Sequence, residues 1–173
     1  MSTLGRVRCA VLGSRGLVAQ RLLQRLSNHH WLAPVCVVGS SESEGMKVSE
    51  IPWSFRETKP SLPEFRIIGI GQNGELASHL ISEGVRIVFS ALPDSPASYI
   101  EEELAKAGLV VISHSTVHRH SQVIPLVVPG VNNHHLGLID LQSGFGKGML
   151  VSCPNCMVCL LYTSPSPRDS LSS

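Results

Sequence analysis

The carboxyl-terminal part of the chain carries a cysteine in a setting that suits nucleophilic chemistry. Residues 149–152 predict a short strand, Pro154 forces a turn after it, and Asn155 is a good N-cap for a following helix. Cys156 would be the first residue of that helix, where unpaired backbone N–H groups stabilise a thiolate. The same N–H groups, with the Asn155 amide, would hold the oxyanion of a tetrahedral adduct. The pattern therefore favours Asn155 and Cys156 as a catalytic pair for acyl transfer.

Two other interpretations of the cysteines remain open at this point. The spacing of Cys153, Cys156 and Cys159 also suits a metal centre or an iron–sulfur cluster, although no later cysteine supplies a fourth ligand. The candidate histidines for completing such a site are His114, His118 and His120. Alternatively the thiols are buried and inert, as we expect for Cys9 and Cys36 within apolar strands. We favour the nucleophile and predict no metal site.

A glycine-containing turn lies near the amino end of the chain. Residues 13–19 read Gly-Ser-Arg-Gly-Leu-Val-Ala, directly after a predicted strand and at the start of a predicted helix. Gly13 permits a sharp bend, Gly16 lets backbone N–H groups approach a pyrophosphate, and Ala19 permits close packing of the helix. A phosphate would lie at the helix N-terminus, which favours an anion. The expected dinucleotide contacts are Gly13, Ser14, Arg15, Gly16, Leu17 and Val18.

The end of the second predicted strand bears on the choice of cofactor. NAD-specific sites usually have Asp or Glu there, whereas this chain has Ser40 and Ser41. Two hydroxyls can donate to the 2′-phosphate of NADP, so NADP is favoured. Glu42, one residue further on, keeps NAD as the alternative. Further cofactor contacts are expected at the end of the fourth strand, from Ser90, Ala91, Leu92 and Pro93.

Short apolar runs alternate with helical segments over much of the chain. The predicted strands and helices occupy, in order, residues 7–12, 17–26, 35–38, 65–70, 75–83, 86–91, 97–107 and 110–113. This alternation predicts crossover units on a parallel sheet, and the mostly apolar strands predict helices on both faces. The fold class is therefore α/β, a doubly wound parallel sheet of the Rossmann type.

The sequence marks the ends of one predicted helix and the apolar face of another, whereas one long segment shows no periodic pattern. The helix at 97–107 has Ser95 as a predicted N-cap, Pro96 at its first position and Gly108 after its end. Residues 39–63 show little periodicity, which predicts a long irregular excursion on the cofactor side. The first helix is expected to pack on the sheet through Leu17, Leu22, Leu23 and Leu26.

Composition limits the size and the partners of the protein. The chain has 173 residues, 43% of them hydrophobic and 16% charged, which suits one complete globular domain. A net charge of +1 and the lack of a leader or long apolar segment predict a cytoplasmic protein that binds a small-molecule substrate but no nucleic acid or membrane. We divide it into a nucleotide-binding domain (1–152), the start of a catalytic domain (153–162) and a Ser/Pro-rich tail (163–173), either disordered or artefactual.

Five blocks of residues together resemble aspartate-semialdehyde dehydrogenase, and the archaeal and fungal type more than the bacterial one. In chain order they are residues 13–21, 40–45, 89–93, 113–132 and 154–156. The blocks occur in the family's order and with its spacing, from residue 6 to about residue 160. The resemblance implies the N-terminal portion of such an enzyme, without the second domain that completes catalysis and dimerisation.

The resemblance also implies a reaction and roles for particular residues. The reaction is reductive dephosphorylation of aspartyl phosphate by NADPH through a thioester on Cys156, a step in the biosynthesis of lysine, threonine and methionine. Asn155 would lie beside the nucleophile, and Arg119 would clamp the substrate phosphate. Full-length members are homo-oligomers. Their general-base histidine and substrate-binding arginine would lie beyond this chain, so we expect the chain alone to be inactive.

The chain departs from the family pattern near the expected site. The departures are at Glu42, His114, Gly130, Cys153, Met157 and Val158, of which Glu42 stands where a basic residue is usual. N-acetyl-glutamyl-phosphate reductase, which shares the fold and the cysteine chemistry, is an alternative within the enzymes. A non-catalytic protein that has kept only the nucleotide-binding fold is the alternative outside them.

Overall fold

The computed structural model describes residues 5–62, 64–71 and 75–158, and its central feature is a six-stranded sheet. The strands are β1 (Val7–Leu12), β2 (Leu32–Gly39), β3 (Ile68–Gly69), β4 (Ile87–Ser90), β5 (Val110–Ser113) and β6 (Met149–Ser152). Every neighbouring pair is parallel, and the spatial order is β3-β2-β1-β4-β5-β6. The chain therefore builds outward from β1 in one direction and then in the other. This confirms the predicted doubly wound parallel sheet.

Helices cover both faces of this sheet. They are α1 (Leu17–Ser27), α2 (Glu75–Ser82) and α3 (Asp94–Lys106). Successive strand residues point to opposite faces, so Cys9 and Val11 pack in the cluster of α1, whereas Ala10 and Leu12 pack in the cluster of α2 and α3. In the described part of the chain, no helix has the length and apolar character needed to cross a membrane.

Helix α3 begins earlier than the sequence predicts. Its first residue is Asp94 and its N-cap is Pro93, so the predicted N-cap role of Ser95 is wrong. Pro96 therefore occupies the third helical position, which a proline tolerates because the first N–H groups of a helix have no partner within it. Gly108 follows the helix with φ of 95°, as predicted for a residue that ends it.

The apolar stripe of α1 differs from the prediction at one end. Leu23 and Leu26 are buried against the sheet and Leu22 is partly buried, but Leu17 is 59% exposed. Leu17 is the first residue of the helix and follows the glycine turn. The inclusion of Leu17 in the packing face was therefore wrong, and buried Ala19 and Gln20 contribute instead.

Two strands differ in length from their predicted bounds. β2 starts before the predicted residue 35, because the sheet accommodates Pro34 where the register against β1 shifts between Cys9 and Ala10. β3 is shorter than the predicted 65–70. Arg66 forms an antiparallel bridge with Lys47, and the N–H of Ile67 donates to Met46 O. Residues 66 and 67 thus pair with the irregular excursion, so they are not available to extend β3 along β2.

The excursion after β2 is fastened to α1 by one buried side chain. It contains two short 3-10 turns, Ser41–Ser43 and Val48–Glu50, and is otherwise irregular, as predicted. The amide nitrogen of Gln20 donates to Arg15 O at 3.0 Å and to Pro52 O at 3.2 Å, and its oxygen accepts from the N–H of Ser54 at 2.8 Å. Gln20 thereby connects the glycine turn to the excursion.

Between β5 and β6 the chain runs through a loop and 3-10 turns, Asn133–Leu141 and Ser143–Phe145. Residues 125–127 lie alongside the carboxyl end of β6. The N–H of Ser152 donates to Pro125 O at 2.8 Å, and the N–H of Val127 donates to Ser152 O at 3.0 Å. The predicted tail and Cys159 lie outside the described residues.

Candidate active site

The predicted site residues leave the sheet from a single edge. Leu12, Ser90, Ser113 and Ser152 stand in register across β1, β4, β5 and β6, each at or one residue from the carboxyl end of its strand. Strands lie about 4.8 Å apart, so three spacings place the turns after β1 and β6 roughly 14 Å from one another. Ligands of doubly wound sheets bind at this edge, where the strand order reverses.

The two glycines of the turn after β1 have different surroundings. Gly13 has φ of 99°, and a Cβ there would lie 2.8 Å from the carbonyl oxygen of Ala91. Gly16 is the N-cap of α1 with φ of −66°, and a Cβ there would meet no atom within 4 Å. Packing requires glycine at 13, whereas no described protein atom requires it at 16. The backbone at Gly16 is therefore open to an approaching ligand.

The residues that flank Gly16 divide into one buried and several exposed side chains. Ser14 is buried, and a Cβ on Gly39 would come 2.5 Å from its Oγ, so the turn packs directly on the end of β2. Leu17 and Val18 are exposed at the start of α1. The N–H groups of this first turn donate to no N-cap side chain, because the N-cap is Gly16. They are therefore free to bind an anion.

The charged side chain of Arg15, in the glycine turn, pairs with a residue just after the end of β2. Ser40 and Ser41 are exposed there, as expected for residues that meet a cofactor. Arg15 Nη1 lies 3.6 Å from Glu42 Oε2, with both side chains well exposed. An arginine at this point is the group that accommodates the 2′-phosphate of NADP in doubly wound folds. Here it pairs with a competing carboxylate, that of the residue that directly follows the two serines.

The residues that follow β4 contribute mainly through their backbone. Ser90 is fully buried, and its Oγ has no protein partner among the described residues. The carbonyl of Ala91 faces Gly13, and Pro93 is exposed before α3. The side chain of Leu92 is buried in the cluster of α2 and α3, so only its backbone remains for a cofactor contact.

The turn after β6 carries an exposed thiol beside a capping asparagine. Asn155 Oδ1 accepts from the N–H of Met157 at 3.0 Å, which is the expected N-cap bond. The thiol of Cys156 is exposed and donates to the same Oδ1 at 3.3 Å. The Asn155 oxygen, rather than its amide nitrogen, therefore faces the sulfur. The N–H groups of Met157 and Val158 already donate to Asn155, so among the described residues of this turn the backbone N–H of Cys156 is the donor left for an oxyanion.

The other cysteines differ from Cys156 in burial. Burial raises the pKa of Cys9 to about 12 and that of Cys36 to about 11, and both are enclosed as predicted. Cys153 is partly buried, and its N–H donates to Ser113 O at 2.7 Å. Within residues 5–62, 64–71 and 75–158, no group of three or more His, Cys, Asp or Glu residues is arranged to hold a metal ion.

Arg119 lies against the turn that carries the thiol. It belongs to residues 114–119, here called the β5 loop. Its Nε donates to Cys153 O at 3.1 Å and its Nη2 donates to His114 O at 3.0 Å. The structure thus brings Arg119 to the turn of Cys156. His114 is itself anchored by a bond of its Nδ1 to Ser90 O at 3.1 Å, and burial lowers the pKa of its ring.

Some contacts at this edge were not anticipated from the sequence. The ion pair of Arg15 with Glu42 joins residues whose proximity only the folded turn reveals. Asp94 and Glu101 of α3 bind the β5 loop. Their spacing of seven residues was the available signal, because it places two carboxylates on the same side of a helix.

Comparison with known proteins identifies the family of this chain. Residues 8–139 match the family model described as semialdehyde dehydrogenase, NAD binding domain. The chain belongs to this family. The assignment agrees with the resemblance inferred from the five sequence blocks and with the glycine turn on the sheet edge.

Individual members of the semialdehyde dehydrogenase family, and proteins related to it, are similar over most of this chain. The aspartate-semialdehyde dehydrogenase of Archaeoglobus fulgidus is 33% identical over 93% of the chain and 46% of its own length. A malonyl CoA reductase (NADP) of Metallosphaera sedula is 33% identical over 87% of the chain and 41% of its own length. The aspartate-semialdehyde dehydrogenase of Candida albicans with NADP superposes with a TM-score of 0.73 at 28% identity, covering 88% of the chain and 43% of that structure. The chain thus spans less than half the length of these relatives.

Proposed function

We propose that this chain is the dinucleotide-binding part of an NADP-dependent aspartate-semialdehyde dehydrogenase that reduces aspartyl phosphate. The observation that carries the proposal is the exposed thiol of Cys156, which donates to the side-chain oxygen of Asn155. The guanidinium of Arg119 bonds to the same turn, at the carbonyl of Cys153. This arrangement lies on the sheet edge that also carries the open glycine turn. A nucleophile and a bound hydride donor would therefore share one edge.

The residues of this chain supply the first half of that reaction. The thiolate of Cys156 attacks the acyl carbon, the bond from carbon to the phosphate oxygen breaks, and inorganic phosphate leaves. Arg119 binds the phosphate as it departs, and the backbone N–H of Cys156 stabilises the oxyanion. NADPH, when bound, supplies the hydride that reduces the acyl carbon. The carbon–sulfur bond then breaks, which releases the aldehyde and restores the thiolate on Cys156.

The glycine turn and the end of β2 fit NADP. The uncapped N-terminus of α1 at Gly16 would receive the pyrophosphate. Arg15, Ser40 and Ser41 would receive the 2′-phosphate, because the two exposed serines directly precede Glu42, with which the guanidinium pairs. The NADP named for the Candida albicans structure and for the Metallosphaera sedula reductase supports this choice.

Removing the charge of Glu42 should strengthen NADP binding. Glu42 pairs with Arg15 and would repel a 2′-phosphate, so Glu42→Gln frees the guanidinium and removes the repulsion. Because both groups are exposed and screened, we expect a gain of about three- to tenfold in NADP affinity, with NAD affinity unchanged within about twofold. Titration of each dinucleotide against the purified chain measures this at low and physiological salt.

Glu57→Gln is the matched control for this titration. Glu57 forms a similar exposed pair with Arg21, at 3.4 Å, but lies away from the end of β2. Its replacement should leave both affinities unchanged. A wild-type chain that binds neither dinucleotide would remove the cofactor proposal altogether, whereas equal gains for NAD and NADP would show that Glu42 does not face the 2′-phosphate.

A second candidate function is the reduction of an acyl-CoA thioester. The 33% identity to the malonyl CoA reductase (NADP) of Metallosphaera sedula favours it. The two candidates differ in the leaving group, which is phosphate from an acyl phosphate but a thiol from a thioester. Only the first needs a phosphate subsite at the nucleophile.

Inorganic phosphate distinguishes these two candidates through Arg119. We expect the wild-type chain to bind phosphate and Arg119→Gln to weaken that binding by at least about tenfold, because a charge-assisted hydrogen bond is lost. Calorimetric titration measures the affinity. Arg86→Gln, at the exposed residue before β4 on the opposite edge of the sheet, is the control and should bind as the wild type does. Absence of phosphate binding to the wild type would favour the thioester substrate.

A further inference from the structure

Two carboxylates of α3 hold the β5 loop. Asp94 and Glu101 stand seven residues apart, close to two helical turns, so they lie on one side of α3. That side faces the loop, since Asp94 binds Thr116 and Glu101 binds Ser115. None of these four residues is among those expected to contact the cofactor or to act as the nucleophile.

Glu101 is a fully buried carboxylate within this contact. Its Oε2 lies 3.1 Å from Nε2 of His118, at the distance of an ion pair but without the geometry of a directed hydrogen bond. The same oxygen accepts from Ser115 Oγ at 3.4 Å, and Ser115 Oγ lies 2.9 Å from Ser113 Oγ. Enclosing a carboxylate costs several kcal/mol of desolvation, which such partners only partly offset. Stability alone therefore gives little reason for a carboxylate at this position.

Asp94 holds the middle of the loop from the start of α3. Its Oδ1 accepts from the N–H of Thr116 at 2.9 Å, and its Oδ2 accepts from the Thr116 hydroxyl. These hydrogen bonds lower the pKa of the Asp94 carboxyl, so it remains ionised near neutral pH. Thr116 O in turn accepts from the N–H of Arg119 at 3.2 Å. The chain of contacts thus runs from α3 to the backbone of Arg119.

The two anchors together hold the segment that precedes Arg119. Ser115 and His118 are held by Glu101, and Thr116 is held by Asp94, so three of the residues that precede Arg119 are tied to α3. The guanidinium at the end of this segment bonds the carbonyl of Cys153. A shift of the loop would move it away from the turn of the thiol.

We propose that Glu101, assisted by Asp94, is a positioning residue that keeps the guanidinium of Arg119 at the nucleophile turn. The proposal rests on the proposed function in so far as Arg119 serves as the phosphate clamp. Removing one partner of a buried pair destabilises the fold, because the partner that stays behind is left without its counterpart. Glu101→Gln, which keeps an oxygen for Ser115, is therefore the variant that best separates the stability of the domain from the position of Arg119.

The test follows hydrogen exchange of the Arg119 Nε–H by ¹⁵N nuclear magnetic resonance, with the signal assigned from its loss in Arg119→Lys. In Glu101→Leu we expect this exchange to quicken by at least about tenfold more than that of the β1 amides, which report any loss of stability of the whole domain. Glu101→Gln keeps one oxygen for Ser115 and should show a smaller increase. Glu102→Gln is the control on the same helix, because Glu102 forms an exposed pair with Lys106 at 3.2 Å, away from the β5 loop.

Exchange of Arg119 that is the same in Glu101→Leu as in Glu102→Gln would overturn the proposal. If the β1 amides also lose protection in Glu101→Leu, the Glu101→Gln variant tests the proposal instead. In that variant we expect the exchange rate of the Arg119 Nε–H to rise by at least about threefold while that of the β1 amides stays unchanged. Adding inorganic phosphate to the wild type tests the clamp separately. If phosphate does not change the resonance of the Arg119 Nε–H, the role of Arg119 in the proposed function is contradicted. The result on the positioning of Arg119 by Glu101 would not be affected.

Discussion

Replacing Gly13 with alanine is expected to destabilise the fold by about 2–4 kcal/mol, because an L-residue is strained at positive φ and its methyl group would press on a backbone carbonyl. Gly13 has φ of 99°, and the added Cβ would lie 2.8 Å from Ala91 O. Neither backbone segment can move freely, since the N–H of Gly13 donates to Val38 O and that of Ala91 donates to Leu12 O. Urea unfolding followed by circular dichroism measures the loss.

Gly16→Ala is the matched variant in the same turn. Its φ of −66° suits alanine and the methyl group would meet no protein atom, so we expect the free energy of unfolding to stay within about 1 kcal/mol of the wild type. The methyl group would instead stand where the pyrophosphate approaches, and NADP affinity should fall by at least about tenfold. A folded Gly16→Ala chain that binds NADP normally would contradict the placement of the cofactor.

Alkylation of the folded chain should strongly favour Cys156 over Cys9 and Cys36. Burial raises the pKa of Cys9 to about 12, with Cys36 adding to it, and burial together with nearby Glu83 raises that of Cys36 to about 11. At pH 8 only about one thiol in a thousand or fewer is then ionised at either position. The sulfur of Cys156 is exposed. With iodoacetamide we expect at least about a hundredfold difference in rate, read by peptide mass spectrometry.

The control for this experiment is the same chain in denaturant. Unfolding removes the burial of Cys9 and Cys36, so their labelling should approach that of an unstructured thiol. Cys156→Ser should remove the fast-labelled peptide in the folded chain. Labelling of Cys9 or Cys36 at the rate of Cys156 under native conditions would show that the sheet does not protect them as the structure indicates.

The parts of the fold that follow from local sequence were predicted well. The bounds of β1, β5 and β6 agree with the predictions, because each is a short, mostly apolar run between clear turn signals. The bounds of β2 and β3, which depend on contacts distant in the sequence, were not predicted correctly. β2 extends through Pro34 only because its register against β1 shifts there, and Ile67 bonds with the excursion rather than with β2.

The candidate site divides in a similar way. The motif after β1 and the cap at Asn155 are local patterns, and the parallel sheet brings them to one edge, so both could be predicted. The interaction of Glu101 with His118 joins residues that are far apart in the sequence, on a helix and in a loop after the next strand. Their types alone do not distinguish a buried pair from two surface charges, and only the packing of α3 on the sheet does so.

The segment that runs beside β6 has a consequence for self-association. Residues 125–127 use the backbone N–H and carbonyl of Ser152, and Asn132 secures the segment by accepting from the N–H of Val128 and donating to Leu126 O. At the opposite side the sheet finishes in the two residues of β3. Exposed strand margins are templates on which another molecule adds a strand and begins to aggregate. In this domain one margin is covered at its carboxyl end. At the other margin, β3 offers only two residues to a further strand and covers β2 at Val38 and Gly39.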